Sequence, residues 1–556
     1  QWRTKFDIQQ LYRWISFIHS HSNHLDIRMW IVLGARFCYF GEFPFSDQEQ
    51  LAKHWWSLYH SKENLPAQLP SQYLQVFQPP SNNSTSPIKL LQANNGDQYV
   101  QIRYTGVMCK LKEPVRSETE LRSRFSVAPT ATMLGQVAGI FAAIVSNNPL
   151  LLQGPPGIGK TKSVVVVAQL LGCQLERINI SGNTTLENLF GFIVPRSDSA
   201  GNRVFEWQDG KLSKALRGGK WILLDELNLA PPEVLDALAP LLNKNEMARG
   251  TAFVIPGSEE RLQDIGSSRI FATMNPTNIG GGRNKLPRSI SNLFTSIFLN
   301  DFDDAELQEI LAMLFSQNVE NGEITKDHLI SLFVLHKQVQ MAVQQGEIGR
   351  NGGPFAFNLR DFAKFRDILH GNFADQADHY KLFGTGGNST QSTVSQIIDI
   401  RILVLRKFAE LVYAQLFQSV LDQQKVRDLI NQHLPLPTEL DGRSTPTIDC
   451  GISSGVRIGS IYLSRGESET SGEPLFHTQE TIRQLELVAA ACQSGRGVLL
   501  EGETCSRKTS LIRELARLTH NKLVIIPMHQ DIETSDLIGQ WLPISNGFPA
   551  ISTPQH

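Results

Sequence analysis

Between residues 148 and 300 short apolar runs alternate with stretches of helical character. "PLLLQ" (149–153), "WILL" (221–224) and "RIFATM" (269–274) are almost continuously apolar, and polar residues follow each. Runs of this length predict strands buried on both faces, as in a parallel sheet. "TKSVVVVAQLLG" (161–172) predicts a helix directly after the first strand. Asp225 and Glu226 follow the second strand and Asn275 the third. Polar residues at three strand ends predict a ligand-binding edge on an α/β sheet.

The pattern recurs. "NPLLLQGPPGIGK" (148–160) lies over "RGVLLEGETCSRK" (496–508) at an offset of 348. At the same offset Leu189, Gly191 and Pro195 meet Leu537, Gly539 and Pro543. "FDIQQLYRW" (6–14) matches "FNLRDFAKF" (357–365) at an offset of 351. A period near 350 suits a tandem array of whole domains rather than a solenoid. The expected organisation is a helical lid of a preceding module at 1–60, a linker at 61–97, and a complete module with an α/β core at 98–310 and a helical lid at 311–435. A second linker at 436–455 and the start of a next module at 456–556 follow. Pro, Ser, Asn and Gly enrich both linkers, and "GTGGNSTQSTVSQ" (384–396) reads as a loop. The chain opens on Gln1 and stops at His556 soon after the second glycine-led loop. It reads as a piece of something longer.

Composition narrows the classes. At 41% hydrophobic and 19% charged the 556 residues suit several soluble domains. A net charge of −2 provides no global basic field for nucleic acid or anionic membrane. No apolar stretch approaches the ~18 residues of a membrane span, and no secretory signal is recognisable. Six scattered cysteines without a C-x-x-C pair favour free thiols.

"GPPGIGKT" (154–161) is the phosphate-binding pattern G-x-x-x-x-G-K-[ST] between strand and helix. Gly154, Pro155, Pro156, Gly157, Ile158 and Gly159 would wrap a polyphosphate so that backbone N–H groups and a helix N-terminus face its charge. Lys160 would reach the β- and γ-phosphates, and Thr161 would place its hydroxyl on Mg²⁺. Asp225 would hold Mg²⁺ through water, and Glu226 would orient or deprotonate the attacking water. Asn275 is placed to position that water. A Gly/Pro turn and a solvent-facing acidic strand end explain each segment singly, but not their spacing together. ATP and Mg²⁺ are the expected cofactors.

These residues resemble the Walker A, Walker B and sensor 1 elements of AAA+ ATPases. More narrowly, "FEWQDGKLSKALRGGKWILLDELNLAPPEVLDALAPLL" (205–242), "FVIP" (253–256), "FATMNPTNIGGGRNKLPRS" (271–289) and "GGPFAFNLRDF" (352–362) resemble the midasin family of giant dynein-related AAA+ proteins. The resemblance implies AAA+ P-loop NTPase modules in tandem, each a parallel sheet flanked by helices with an α-helical lid, joined in a single-chain ring. It implies an ATP-driven motor that remodels precursors of the large (60S) ribosomal subunit and releases assembly factors in the nucleolus and nucleoplasm. Partners would be that particle and neighbouring modules of the same chain, with no direct nucleic-acid site and no membrane. Arg360 becomes the candidate sensor 2 arginine, or an ordinary charge at a helix start.

Departures matter as much. In "GETCSRKT" (502–509) Gly502, Lys508 and Thr509 remain, whereas Cys505 and Arg507 replace glycines. A less permissive backbone there predicts weak nucleotide binding and no efficient hydrolysis. Gln9 stands where Arg360 stands in the complete module. Leu293 occupies the family's arginine-finger position. Arg288 is either the substitute or a surface charge, and loss of such a finger can cost ~10³-fold or more in phosphoryl transfer. His19, His21 and His24 lack supporting ligands, the sequons at Asn83 and Asn388 lack a secretory context, and Trp55 and Trp56 read as lid core. The alternatives are a MoxR-like or dynein-like AAA+ protein, and a nucleotide-binding scaffold with little turnover.

Overall fold

The computed structural model describes residues 87–93, 96–102, 107–197, 203–243, 252–258, 260–262, 268–276, 284–299, 301–321, 324–350, 357–370, 405–435, 447–450, 455–468, 474–493 and 497–528, with isolated positions elsewhere. Gln9, the three early histidines, Trp55, both sequon asparagines, the 384–396 loop and most of 1–60 lie outside them. Trp56 is described and is buried in the core of the first compact unit. The chain divides into two such units, one of residues 1–370 and 412–435, the other of 371–411 and 436–556.

The first unit begins with an antiparallel sheet of β1 (Ile88–Gln92), β2 (Gln98–Ile102) and β3 (Met108–Lys110). Then come α1 (Ala131–Val145), β4 (Leu150–Gln153), α2 (Lys160–Leu171), β5 (Leu175–Asn179), β6 (Gly191–Ser197), β7 (Arg203–Asp209), β8 (Trp221–Asp225), α3 (Pro232–Leu242), β9 (Ile270–Met274) and β10 (Thr295–Phe298). The central sheet has order β10-β4-β9-β8-β5, every neighbouring pair parallel. Successive side chains of its strands face opposite cores. Leu150, Leu152, Trp221, Leu223 and Phe271 join one cluster, and Leu151, Ile222, Leu224, Ile270 and Ala272 the other. That alternation follows from the two-residue period of a strand, and burial on both faces explains why the runs are continuously apolar.

α1 and α2 cover one face. α1 starts at Thr130, whose hydroxyl accepts the Met133 N–H at 3.2 Å. α2 carries four consecutive valines, weak helix formers by propensity. Val164, Val166 and Val167 are fully buried against the sheet, so packing outweighs propensity. Its left-handed C-cap, Gly172, ends the helix.

The helical part comprises α4 (Asp304–Leu314), α5 (Lys326–Gln344), α6 (Leu359–His370) and α7 (Val420–His433). An Asp303/Glu306 capping box opens α4, and Glu306 also accepts the Thr132 N–H (2.6 Å) and hydroxyl (2.7 Å), tying α4 to α1. His336 of α5 is buried beside Phe357, Phe362 and Tyr413, with Nδ1 3.1 Å from the Tyr413 hydroxyl. Burial holds its imidazole down at about 4.

One boundary is corrected. The expected 61–97 linker ends too late, because β1 pairs with β2 in register from Ile88↔Ile102 to Gln92↔Gln98. Between the two strands Gly96, at φ 84, donates its N–H to Ala93 O at 3.0 Å, and the Ala93 N–H reaches Asp97 O at 2.9 Å, so β1 and β2 form a hairpin where linker was expected. Likewise 448–449, inside the expected second linker, forms a strand.

The second unit holds a small antiparallel sheet, β11 (Ile448–Asp449), β12 (Gly455–Ile458) and β13 (Ile461–Ser464), then α8 (Gln479–Gln493) and α9 (Lys508–Thr519). α8 starts at 479 against 131 for α1, and α9 at 508 against 160 for α2, so both keep the 348 offset and the same lengths. Residues 498–501 and 523–527, the counterparts of β4 and β5, carry no strand, and Leu499 and Val524 are exposed. In the first unit the hydrogen-bonding neighbours of β4 and β5 are β8, β9 and β10. Among the described residues no helix is long and apolar enough to cross a membrane.

Candidate nucleotide site

The loop from Gly154 to Gly159 joins β4 to α2. Gly157 and Gly159 adopt φ 88 and 84, a left-handed backbone that glycine enters without cost. A Cβ on Gly157 would also lie 2.6 Å from the Asn358 side chain, so glycine admits the lid to the loop. Lys160, 7% exposed, donates to Gly154 O (2.7 Å), Pro155 O (2.6 Å) and Asn275 Oδ1 (2.7 Å). The Asn275 amide in turn donates to Glu226 Oε1 at 3.1 Å. The parallel register accounts for this line, since β9 runs beside both β4 (Met274↔Gln153) and β8 (Ala272↔Leu224).

Asp225 is the second node. The Thr161 hydroxyl donates to Oδ1 at 3.0 Å and Oδ2 at 3.2 Å, and Thr273 donates a short hydrogen bond to Oδ1. The Arg177 guanidinium forks onto Oδ2 through Nε (3.0 Å) and Nη2 (2.5 Å). Burial raises the cost of the Asp225 charge, yet Thr273, the Arg177 bonds and charge, and Thr161 together hold the carboxyl below its ordinary value. Glu226 sits at φ 59, ψ 45, a non-glycine residue in the left-handed region. Thr273 accepts the Glu226 N–H at 3.1 Å and so pins that strained turn, which costs ~1–2 kcal/mol.

Thus Gly154–Thr161, Asp225, Glu226 and Asn275 meet in one place. Arg360 does not join them by hydrogen bonds. Its side chain is exposed on the first turn of α6, two residues beyond Asn358. Asn358 caps that helix by accepting the Arg360 N–H (2.9 Å), while Asp361 Oδ2 accepts the Asn358 N–H (2.9 Å). Arg288 is exposed at the start of a one-turn helix, and Leu293 packs against the sheet's second core cluster. Arg177, Thr273 and Asn358 were not singled out from sequence. A polar residue inside an otherwise apolar strand segment was the available signal for Thr273.

The second loop keeps the shape of the first despite its substitutions. Cys505 and Arg507 take φ 64 and 65, where Gly157 and Gly159 take 88 and 84. Lys508 donates to Gly502 O (2.7 Å) and Glu503 O (2.6 Å), as Lys160 does to Gly154 and Pro155. The Arg507 side chain turns aside to donate to Thr481 Oγ1 at 3.1 Å. Its exclusion from the loop explains how an arginine fits there. Thr509 is exposed and begins α9 with Lys508.

ATP and Mg²⁺ suit the first loop. The loop turns through the left-handed Gly157 and Gly159 onto the N-terminus of α2, and a hydroxyl and a carboxylate stand 3.0 Å apart as hard oxygen donors. Among the described residues no group of three His, Cys, Asp or Glu side chains forms a separate metal site.

A five-stranded parallel sheet with this loop after β4, its second strand, and carboxylates at the end of β8, two strands away across β9, defines an α/β P-loop nucleoside triphosphatase module. The family profile of the AAA domain (dynein-related subfamily) matches residues 149–294 and 497–549, and the matched stretches include both loops. Over about three quarters of its length the chain is similar to midasins. It is 27% identical over 449 residues to midasin of Dictyostelium discoideum, covering 77% of this chain and 7% of that protein. To midasin of Giardia intestinalis it is 28% identical over 429 residues, covering 74% and 8%. It thus spans less than a tenth of the length of these midasins. An uncharacterized protein of Staphylococcus aureus (strain USA300) is 24% identical over 225 residues, covering 40% of this chain and 78% of that protein.

Proposed function

We propose that the first module binds ATP with Mg²⁺ and hydrolyses it, driving a mechanical cycle in a tandem array of AAA+ modules. Its core would run from 88 to 310 and its lid from 311 to 435, with a preceding lid at 1–60 and a further module from 448. The observation that carries this reading is the line Lys160–Asn275–Glu226, joined by hydrogen bonds of 2.7 and 3.1 Å beside the Thr161–Asp225 pair. Bound Mg²⁺·ATP supplies the transferable phosphoryl group and a cation that neutralises its charge. The loop N–H groups bind phosphate oxygens, and Lys160 brings a buried positive charge to them. Thr161 and Asp225 would hold the cation's shell. Asn275 orients the Glu226 carboxylate, which takes a proton from the attacking water. Arg360, carried by the helix that starts on the loop, is proposed to reach the nucleotide from the lid.

Similarity to midasins supports a further proposal: the work done is remodelling of pre-60S ribosomal particles, with release of assembly factors in the nucleus. A scaffold reading, binding without turnover, is favoured by Leu293 packing into the core where a finger would project. Steady-state ATP hydrolysis with Glu226→Gln decides between them. The motor reading expects turnover that the variant lowers by ~10²-fold or more while nucleotide binding persists. Equal turnover in both chains, or none in either, refutes it.

A further inference from the structure

We infer that Arg177 is a built-in counter-cation that competes with magnesium for Asp225 and so sets how much metal the first nucleotide site needs. The inference rests on the proposed nucleotide site and deepens it. Asp225, with its side chain 10% exposed, receives Thr161, Thr273 and the Arg177 fork. Two of these donors are fixed: Thr161 on the first turn of α2, and Thr273 buried within β9. Arg177 differs. It stands near the end of β5, which pairs with β8 through Asn179↔Asp225, and its side chain is 53% exposed. A long cationic side chain with access to solvent can leave Oδ2 when a divalent cation with its water shell approaches, whereas the two threonines cannot. Like charges repel, so guanidinium and metal cannot both sit on this carboxylate at full strength. Without metal, the same guanidinium cancels the Asp225 charge that would repel a polyphosphate.

The test uses the 556-residue chain and a fluorescent N-methylanthraniloyl ATP, titrated with Mg²⁺ and separately in EDTA. Arg177→Gln is expected to lower the half-saturating Mg²⁺ concentration by about two- to fivefold, the range a half-exposed ion pair supplies. In EDTA the same variant is expected to bind the probe more weakly. A purely structural role for Arg177 predicts weakening in both conditions. An unchanged or raised Mg²⁺ requirement overturns the inference. If Arg177→Gln does not fold, Arg177→Lys keeps the charge but loses the fork, and must shift the Mg²⁺ requirement downward by a smaller factor. No shift in that variant also overturns it. Failure of the native chain to take up the probe at any Mg²⁺ concentration removes the nucleotide site itself, whereas uptake with unaltered metal dependence removes only the role of Arg177.

Discussion

The two glycine-led loops, 154–161 and 502–509, share a backbone and differ in surroundings. Both hold two residues near φ 64 to 88, and both fold the lysine ammonium onto the same pair of carbonyls. Among the described residues Lys160 also meets an asparagine that leads to a glutamate, and Lys160 is buried where Lys508 is half-buried. Loop shape is therefore a local property, set by few residues and tolerant of their loss. The chemistry is a property of the sheet, because β8 and β9 deliver Asp225, Glu226 and Asn275 from 64 to 115 residues away.

The largest expected effect separates the loops by that difference. Asn275→Ala should reduce ATP turnover by ~10²-fold, since it cuts the line between lysine and general base. Lys508→Ala should leave turnover within about twofold, an estimate from the replacement of two glycines of its loop by Cys505 and Arg507. A steady-state assay with both variants checks this, and equal losses would erase the distinction.

A smaller effect probes the lid. Gly157→Ala would place a methyl against Asn358 and force a positive φ on alanine, so nucleotide affinity should fall by about tenfold and the melting temperature should drop. The equivalent position in the second loop already carries Cys505, and its side chain is exposed.

The units should also part in acid. His336 is held neutral in the first, its folded value of about 4 lying below the ordinary 6.5. The unfolded chain protonates first as pH falls, so the first unit should lose about 3 kcal/mol between pH 6.5 and 4. In the second unit burial opposes the Glu514 charge, but Arg517, the Leu475 N–H and His477 hold it down to about 2. That contribution is present above about pH 4.5 and is lost only as pH falls from there toward 2. Thermal unfolding from pH 7 to 4, followed with His336→Gln, should show the earlier loss and its disappearance in the variant.

The smallest effect concerns the substituted glycines. Cys505→Gly removes a left-handed non-glycine residue at the expense of a freer unfolded chain, and should change stability by no more than about 1 kcal/mol. A melting curve suffices.

Much of this was legible in sequence because the decisive residues sit at strand ends. The continuous runs before Gly154, Asp225 and Asn275 announced buried parallel strands, and their polar successors announced the edge. Arg177 and Thr273 escaped because their role comes from lateral register between strands, which no single run displays. Asn358 escaped because its partner is a glycine, an absence of side chain. The β1–β2 hairpin was mistaken for linker because turn residues and linker residues share a composition, and only pairing separates them. Arg507 predicts a less permissive backbone; in the fold it takes φ 65 and its side chain donates to Thr481, a neighbour 26 residues away that the motif does not contain.

The central claim is that Lys160, Thr161, Asp225, Glu226 and Asn275 form one Mg²⁺·ATP site. Calorimetric titration of Mg²⁺·ATP into the native chain and into Lys160→Ala tests it most directly. The account predicts a saturable uptake that Lys160→Ala removes or weakens by ~10²-fold, about the contribution of a charge-assisted contact. Undiminished uptake by Lys160→Ala would contradict it.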